Sequence, residues 1–156
     1  MKTPFLTPLS ADQIAQAGVP GTWSYGYADQ VRFSEIDALN HVNNVAYLVW
    51  FEMARVQYFQ TFGLTKYRDD DPQFVVRAQS ADYRAAMYMN TAYIIATRTV
   101  SFRRTSFTME YVCYADGIRA SGQSVIVSLE PDGSAKRALP DAVLAQFREI
   151  DLATEA

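Results

Sequence analysis

The chain is poor in cysteine and histidine, with one of each among its 156 residues. The single cysteine, Cys113, excludes an intrachain disulfide and a cysteine-ligated zinc cluster. One histidine likewise excludes a histidine-rich metal site, so we expect no bound metal. His41 is therefore the sole candidate for any step that needs an imidazole.

Long apolar runs and blocks of basic residues are also missing. No segment has 18 uninterrupted apolar residues, so the sequence predicts no membrane span. Pro4 and Pro8 interrupt the region where a signal peptide would need apolar residues. With 14 basic and 17 acidic residues the net charge is −3, which disfavours nucleic acid as a partner. We therefore expect a cytoplasmic protein that binds neither membranes nor nucleic acids.

Hydrophobic and aromatic residues are abundant, at 49% and 13%, which excludes a disordered chain. The length suits one domain with a substantial core. We place this domain at residues 23–150, after a leader at 1–22 that is punctuated by proline and glycine, and before a tail at 151–156. Within the leader, Ser10 is suited to cap a short helix that ends near Ala17.

A long helix is predicted over residues 44–62, where aromatic and aliphatic side chains recur at helical spacing. Asn43 or Asn44 is suited to cap its beginning, and Gly63 stands where helices commonly end. Because apolar residues cover nearly its whole circumference, we expect this helix to be buried on most sides.

Strand patterns lie on both sides of this helix. Residues 23–33 alternate as a strand before it, and β-rich runs follow it at 74–87, 92–103, 106–115 and 118–129. Asp116–Gly117 predicts a hairpin, Arg104–Thr105 a tight turn and 140–150 a short closing helix. This order predicts an α+β protein with the hotdog fold, a curved antiparallel sheet wrapped around one long central helix. Such a sheet leaves an edge uncovered, so we expect a homodimer or homotetramer.

The most informative stretch is 32–47, which carries Asp37 and His41 four residues apart, just before the long helix. Unpaired backbone N–H groups and the helix dipole favour negative charge at a helix N-terminus. An aspartate beside such donors can attack a carbonyl or activate water, while the donors hold the oxyanion that forms. The arrangement points to acyl-transfer chemistry.

This stretch resembles the hotdog-fold acyl-CoA thioesterases related to 4-hydroxybenzoyl-CoA thioesterase. The similarity covers roughly residues 24–150 and rests on Phe33-x-x-x-Asp37, His41–Val42–Asn43–Asn44-x-x-Tyr47–Leu48, Trp50–Phe51–Glu52-x-Ala54–Arg55 and Arg104–Thr105–Ser106–Phe107–Thr108. One position departs from the pattern. Plant acyl-carrier-protein thioesterases carry an asparagine two positions before the histidine, where this chain has Leu39.

The resemblance implies hydrolysis of an acyl-CoA to a free acid and coenzyme A, with no cofactor beyond the coenzyme A of the substrate. It places the catalytic carboxylate on Asp37 and the backbone N–H that polarises the carbonyl on Asn44. Asp37 is either the nucleophile or the general base on water. His41 is either a third catalytic residue or a hydrogen-bonded residue that fixes the loop.

Four further residues are candidates for substrate binding. Asn43 is a helix cap beside the carboxylate, and Tyr47 is either a core ring or part of the acyl pocket. Arg104 is either a surface charge or a partner of the coenzyme A phosphates. Ser106 is either a turn residue or a pocket hydroxyl. We expect the acyl pocket to lie between the Asp37 loop of one chain and strands of a second.

Three other predictions concern residues outside the pocket. Glu35 is expected to face solvent, and Glu52 is expected to form an ion pair with Arg55 three residues later. Cys113 is expected to be a small core residue rather than a nucleophile, because no second histidine exists to activate it.

Two alternatives remain open at this stage. A hotdog hydratase or dehydratase of enoyl or hydroxyacyl thioesters also uses an aspartate and a histidine, although the Asp37-x-x-x-His41 spacing favours a thioesterase. A non-catalytic hotdog module would bind an acyl thioester without cleaving it, but it would not need the carboxylate of Asp37. The sequence leaves open whether the acyl group is aromatic or a long aliphatic chain.

Overall fold

A six-stranded sheet frames the structure, a computed structural model in which residues 3–156 are described. The strands are β1 Tyr25–Gln30, β2 Gln73–Tyr83, β3 Ala92–Phe102, β4 Ser106–Tyr114, β5 Ile118–Leu129 and β6 Thr154–Glu155. The helices are α1 Ala11–Gln16, α2 Asn44–Thr61 and α3 Asp141–Glu149. The five long strands are antiparallel in the order β1-β3-β4-β5-β2, and β6 pairs in parallel with the end of β3.

Helix α2 connects the two opposite edges of this sheet, since it follows β1 and precedes β2. Its 18 residues run along the strands: near its start Tyr47 contacts Tyr83 at the end of β2, and near its end Phe59 contacts Phe74 at the beginning of β2. The inner face of the sheet therefore packs along the length of one helix. This arrangement confirms the predicted hotdog fold.

The ends of α2 are set by the predicted capping residues. The side-chain oxygen of Asn43 accepts a hydrogen bond from the N–H of Val45 at 3.0 Å, which makes Asn43 the N-cap. Gly63 adopts a left-handed φ of +72°, and the N–H of Leu64 donates to the carbonyl of Phe59 at 2.8 Å. This is the glycine-terminated helix end that the sequence predicted.

Burial of α2 is one-sided. The side chains that face the sheet are buried: Tyr47, Trp50, Phe51, Ala54, Arg55, Tyr58 and Phe59. On the other side Val45 is 55% exposed and Val49 is 56% exposed. The expectation of burial on most sides is therefore wrong for the single chain, because the sheet covers only one side of the helix.

Two glycines allow helices to approach the sheet closely. A Cβ on Gly122 would lie 2.9 Å from the ring of Phe51, which stacks on Tyr111 with ring centroids 5.0 Å apart. On the outer face, a Cβ on Gly26 would lie 3.0 Å from Ile14 of α1. The inner face of the sheet thus carries α2, and the outer face carries the packed N-terminal segment.

Most other predicted elements are confirmed. Strands β3, β4 and β5 match their predicted runs within one residue, and α3 lies inside the predicted 140–150. Helix α1 begins after Ser10, whose side chain accepts from the N–H of Gln13. The Asp116–Gly117 hairpin has φ values of +49° and +113°. Among residues 3–156 no helix is long and apolar enough to cross a membrane.

The first strand is shorter than predicted and ends at Gln30 rather than residue 33. Phe33 instead begins a 3-10 helix, Phe33–Glu35, and is 82% exposed. The cause is local, because the Glu35 carboxylate accepts the N–H of Arg32 at 2.9 Å and folds the chain back. Strand β6 was not predicted, since two residues carry no alternation that a sequence pattern could reveal.

A buried carboxylate fastens the last residues of the chain to the core. Asp151 is 1% exposed and accepts hydrogen bonds from the hydroxyls of Ser24 and Tyr58. Beyond it, the N–H of Ala153 donates to the carbonyl of Phe147, and β6 joins the sheet. Burial raises the pKa of Asp151 to about 6, although the donated hydrogen bonds oppose this shift.

The raised pKa of Asp151 predicts a specific pH dependence of stability. The folded state binds this proton more tightly than the unfolded state, whose carboxyl titrates near pH 4. Its stabilising contribution is therefore fully present below about pH 4 and is lost as the pH rises through about 6. Relative to Asp151→Asn, the wild type should lose on the order of 2–3 kcal/mol of unfolding free energy over this range.

Urea denaturation of both proteins at about pH 4 and pH 7 measures this change. Comparing the two proteins cancels the titration of other carboxylates. A difference in unfolding free energy that stays constant with pH would contradict the prediction.

Candidate active site

The Asp37 loop is a small hairpin that presents its acid beside the start of α2. Ile36 and Val42 form an antiparallel bridge, and the N–H of Asp37 donates to the carbonyl of His41 at 3.1 Å. The N–H of Asn40 donates back to the carbonyl of Asp37 at 3.0 Å, and Asn40 has a φ of +62°. Asparagine tolerates this left-handed conformation better than most residues, so it suits the turn.

Glu35 ties this loop to the core. One carboxylate oxygen accepts the indole N–H of Trp50 at 3.0 Å, and the other accepts the N–H of Arg32. The carbonyl of Glu35 accepts the N–H of Asn43 at 2.8 Å. The expectation that Glu35 faces solvent is therefore wrong, because its side chain joins the loop to α2.

The opposite side of the loop is held by the connection between β2 and β3, residues 84–91. The N–H of Val42 donates to the carbonyl of Met87 at 2.8 Å, and the N–H of Asn90 donates to the carbonyl of Val31. At the end of β2, the hydroxyl of Tyr83 donates to the carbonyl of Asn44 at 3.0 Å. The start of α2 is thus bonded on both sides.

A cavity of about 360 Å³ opens between these elements. It is lined by Asp37, Leu39, His41, Val42, Asn44, Tyr47, Tyr83, Arg84, Ala85 and Ala86. The structure therefore brings together four residues selected from the sequence, which are Asp37, His41, Asn44 and Tyr47. Asn43 stands beside them as the N-cap of α2.

At this cavity a carboxylate oxygen of Asp37 and the backbone N–H of Asn44 are both without a hydrogen-bond partner among residues 3–156. Within residues 3–156, the carboxylate of Asp37 accepts one hydrogen bond, from the N–H of Leu39 to Oδ1 at 2.8 Å. Its Oδ2 remains available to a substrate or water. Among the same residues, the side chain of Asn43 accepts the N–H of Val45, while the N–H of Asn44 has no partner. A carboxylate and a helix N-terminal N–H are the pair that acyl transfer requires.

Aromatic rings form the inner wall of the cavity. Tyr47 contacts Trp50 and Tyr83 edge-to-face, with ring centroids 5.1 and 5.4 Å apart. Burial raises the pKa of Tyr47 to about 12, so its hydroxyl stays protonated at neutral pH. Trp50 in turn stacks on Tyr93 at 4.2 Å, which joins this wall to the core.

Ser106 and Arg104 do not reach this cavity within one chain. Gln30, which precedes the Asp37 loop, pairs with Ala92 at one end of β3, whereas Phe107 pairs with Phe102 at the other end. The ten residues between these ends span roughly 30 Å. Ser106 instead lines a separate depression of about 250 Å³, and Arg104 is an exposed turn residue.

Sequence reasoning missed the cavity wall formed by residues 83–86. The run 74–87 was predicted as one strand, whereas β2 ends at Tyr83 and the next three residues leave the strand and line the cavity. Arg84 and Ala85 both donate their N–H to the carbonyl of Arg119, at 2.8 and 3.2 Å. The only available signal was the small side chains at 85 and 86, which leave space beside the loop.

The remaining predictions concern residues outside the cavity. Glu52 and Arg55 form the expected ion pair at 3.8 Å. Cys113 is fully buried, and burial raises the pKa of its thiol. This environment matches a core residue rather than a nucleophile. No three His, Cys, Asp or Glu side chains converge as metal ligands anywhere in the described chain.

The sequence profile of the thioesterase-like superfamily matches residues 31–147, about three quarters of the chain. Among curated proteins, the acyl-CoA thioester hydrolase YbgC of Escherichia coli is 26% identical over 124 residues, which are 77% of this chain and 92% of that protein. The uncharacterized protein YsmA of Bacillus subtilis is 30% identical over 82 residues, which are 53% of this chain. The match spans about half the length of YsmA, at 55%.

Solved structures of thioesterases are also similar to this chain. A thioesterase superfamily protein from Jannaschia sp. CCS1 is 37% identical with a TM-score of 0.94, and the match covers 99% of this chain and 100% of that chain. A thioesterase from Thermus thermophilus, solved with coenzyme A and Zn, is 31% identical with a TM-score of 0.70. That match covers 81% of this chain and 93% of the other.

Proposed function

The chain belongs to the thioesterase-like superfamily and is a thioester hydrolase, and we propose that it cleaves acyl-CoA thioesters with Asp37 as the catalytic carboxylate. The observation that carries this proposal is the cavity that gathers Asp37, His41 and the unpaired N–H of Asn44. Membership in this superfamily favours hydrolysis over the hydratase alternative.

In the proposed reaction the thioester carbonyl oxygen accepts a hydrogen bond from the N–H of Asn44. Negative charge develops on this oxygen in the transition state, and the dipole of α2 stabilises it there. Asp37 lines the same cavity, and its Oδ2 accepts no hydrogen bond within the described residues, so it is free to act on the carbonyl carbon. His41 contributes its imidazole to orient Asp37 or the attacking water.

Two routes use the same carboxylate. In the first, Asp37 forms a C–O bond, the C–S bond breaks, and water then hydrolyses the anhydride to the free acid. In the second, Asp37 takes a proton from water, whose oxygen attacks the carbonyl carbon before the C–S bond breaks. Both routes release coenzyme A as the thiol and a carboxylic acid.

The shape of the cavity supports an acyl group as the occupant. Leu39, Val42, Ala85 and Ala86 give it apolar walls, and Tyr47 and Tyr83 add aromatic surface. Arg84 places a cation at the same cavity, where an anionic part of the substrate would be favoured. The walls accept aromatic and aliphatic acyl groups alike.

Asp37→Asn should lower kcat by 100-fold or more, since loss of a general base or nucleophile costs roughly that much. The amide keeps the size of the side chain but removes the charge. The measurement is release of free thiol from a panel of aromatic and aliphatic acyl-CoA substrates.

Asp141→Asn provides the matched control, because Asp141 is an aspartate in the first turn of α3, away from the cavity. It should retain wild-type turnover. Near-native turnover of Asp37→Asn on the best substrate would overturn the proposed role of Asp37.

We also propose that the chain assembles as a homodimer or a dimer of dimers through the edge strand β2. This strand is 11 residues long, has β5 as its partner, and is exposed along most of its length. Its exposed residues include Val75 and Val76, at 38% and 42%. The opposite edge is shorter, because β1 and β6 both pair with β3. A long exposed strand edge that includes apolar side chains is favourable only when a second strand covers it.

Sedimentation at micromolar concentration should therefore give twice or four times the 17.6 kDa chain mass. Val76→Lys should shift the protein toward monomer, because a lysine on an edge strand opposes strand pairing. Leu6→Lys, at a site that is 53% exposed and outside β2, is the control and should not change the mass. A wild type that sediments as a monomer would contradict the proposed assembly.

We propose that hydrolysis needs neither a metal nor a reactive thiol. The only imidazole belongs to the Asp37 loop, and burial disfavours the thiolate of Cys113. Activity should be unchanged by EDTA, by thiol-blocking reagents and by Cys113→Ala. Rescue of EDTA-treated protein by added metal would overturn the metal-free route. Inactivation of a folded Cys113→Ala variant would move the nucleophile to sulfur.

A further inference from the structure

We propose that Tyr83 is a positioning residue that holds the first turn of α2, and with it the N–H of Asn44, in the geometry that catalysis requires. This inference rests on the proposed thioester hydrolysis. The carrying observation is the hydrogen bond from the Tyr83 hydroxyl to the carbonyl of Asn44, at 3.0 Å. It joins the end of β2 to a helix start 39 positions earlier in the chain.

Tyr83 is itself fixed by the sheet. It pairs with Ala120 of β5 in the β2 ladder, and the next two residues donate their N–H groups to the carbonyl of Arg119. Its ring packs edge-to-face on Tyr47, which is 4% exposed. The hydroxyl is therefore presented by a strand and a buried ring rather than by a mobile loop.

The hydrogen bond acts on the peptide groups that surround the catalytic donor. The carbonyl of Asn44 belongs to the same peptide as the N–H of Val45, and that N–H donates to the side chain of Asn43. Tyr83, this peptide and the Asn43 cap thus form one chain of hydrogen bonds, in which each bond polarises the next. These hydrogen bonds hold both the Asn43 side chain, which precedes the N–H of Asn44, and the Asn44–Val45 peptide, which follows it.

Besides this contact, the start of α2 is held through Asn43, which bonds Glu35, Val45 and Ala46. The Tyr83 hydroxyl restrains the following residue, Asn44. Terminal turns lack a full set of intrahelical partners, and Asn44 and Val45 are both exposed. A small displacement of an oxyanion donor has a large effect on rate, because its benefit depends on where the charge develops. Tyr83 therefore governs turnover by fixing a backbone group rather than by touching the reacting atoms.

Tyr83→Phe tests this role, since it removes the hydroxyl and keeps the ring against Tyr47. We expect kcat to fall on the order of 10-fold while KM stays within about twofold of wild type. Tyr88→Phe is the matched control, because Tyr88 is an exposed tyrosine in the next connection and does not line the cavity. It should leave both constants unchanged.

Hydrogen exchange supplies a readout that is independent of activity. In Tyr83→Phe the amides of residues 45–48 should exchange several-fold faster than in wild type, and in Tyr88→Phe they should not. Unchanged kcat, a KM that rises in proportion to the loss of kcat/KM, or unchanged exchange would each overturn the positioning role.

Asp37→Asn, assayed on the same substrate, separates this inference from the proposed function. If Asp37→Asn is inactive and Tyr83→Phe is fully active, only the role of Tyr83 is wrong. If Asp37→Asn retains its turnover, the proposed function fails whatever the behaviour of Tyr83.

Discussion

Burial of one face of α2 against the antiparallel sheet is the constraint on which the rest of the structure depends. Burying a large apolar side chain contributes about 2–3 kcal/mol, whereas a helix cap contributes about 1 kcal/mol. Packing of Phe51, Tyr58 and their neighbours therefore decides where the helix lies, and the cap decides where it begins. Because α2 runs along the strands, its N-terminus lies at the end of β2 and beside the Asp37 loop, where the cavity opens.

Local patterns in the sequence were sufficient to predict the fold and the residues at the centre of the candidate site. The Asn43 cap, the Gly63 end and the Asp116–Gly117 hairpin each depend on a few adjacent residues, so their positions could be predicted. Asp37 and His41 were predicted near the helix start for the same reason, because they lie four positions apart in the turn just before the helix.

Contacts between distant residues could not be predicted in this way. From the sequence alone Glu35 resembles a surface acid. In the structure its carboxylate accepts the indole N–H of Trp50 and the N–H of Arg32, where the chain folds back. Tyr83 reaches Asn44 only because β2 is placed at the sheet edge above the helix start. The docking of the last six residues likewise depends on Tyr58 and Ser24, which are far away in the chain. Such contacts follow from the completed topology and leave no periodic signal.

The cap of α2 links folding to the proposed chemistry. A helix start leaves several N–H groups without intrahelical partners, and capping normally satisfies some of them. Here Asn43 satisfies the N–H of Val45, while the N–H of Asn44 has no partner within the described residues. If the capping side chain bonded the N–H of Asn44 instead, the cavity would lose its donor. Stability of α2 and availability of the oxyanion donor are therefore compatible because the cap acts one residue beyond the catalytic position.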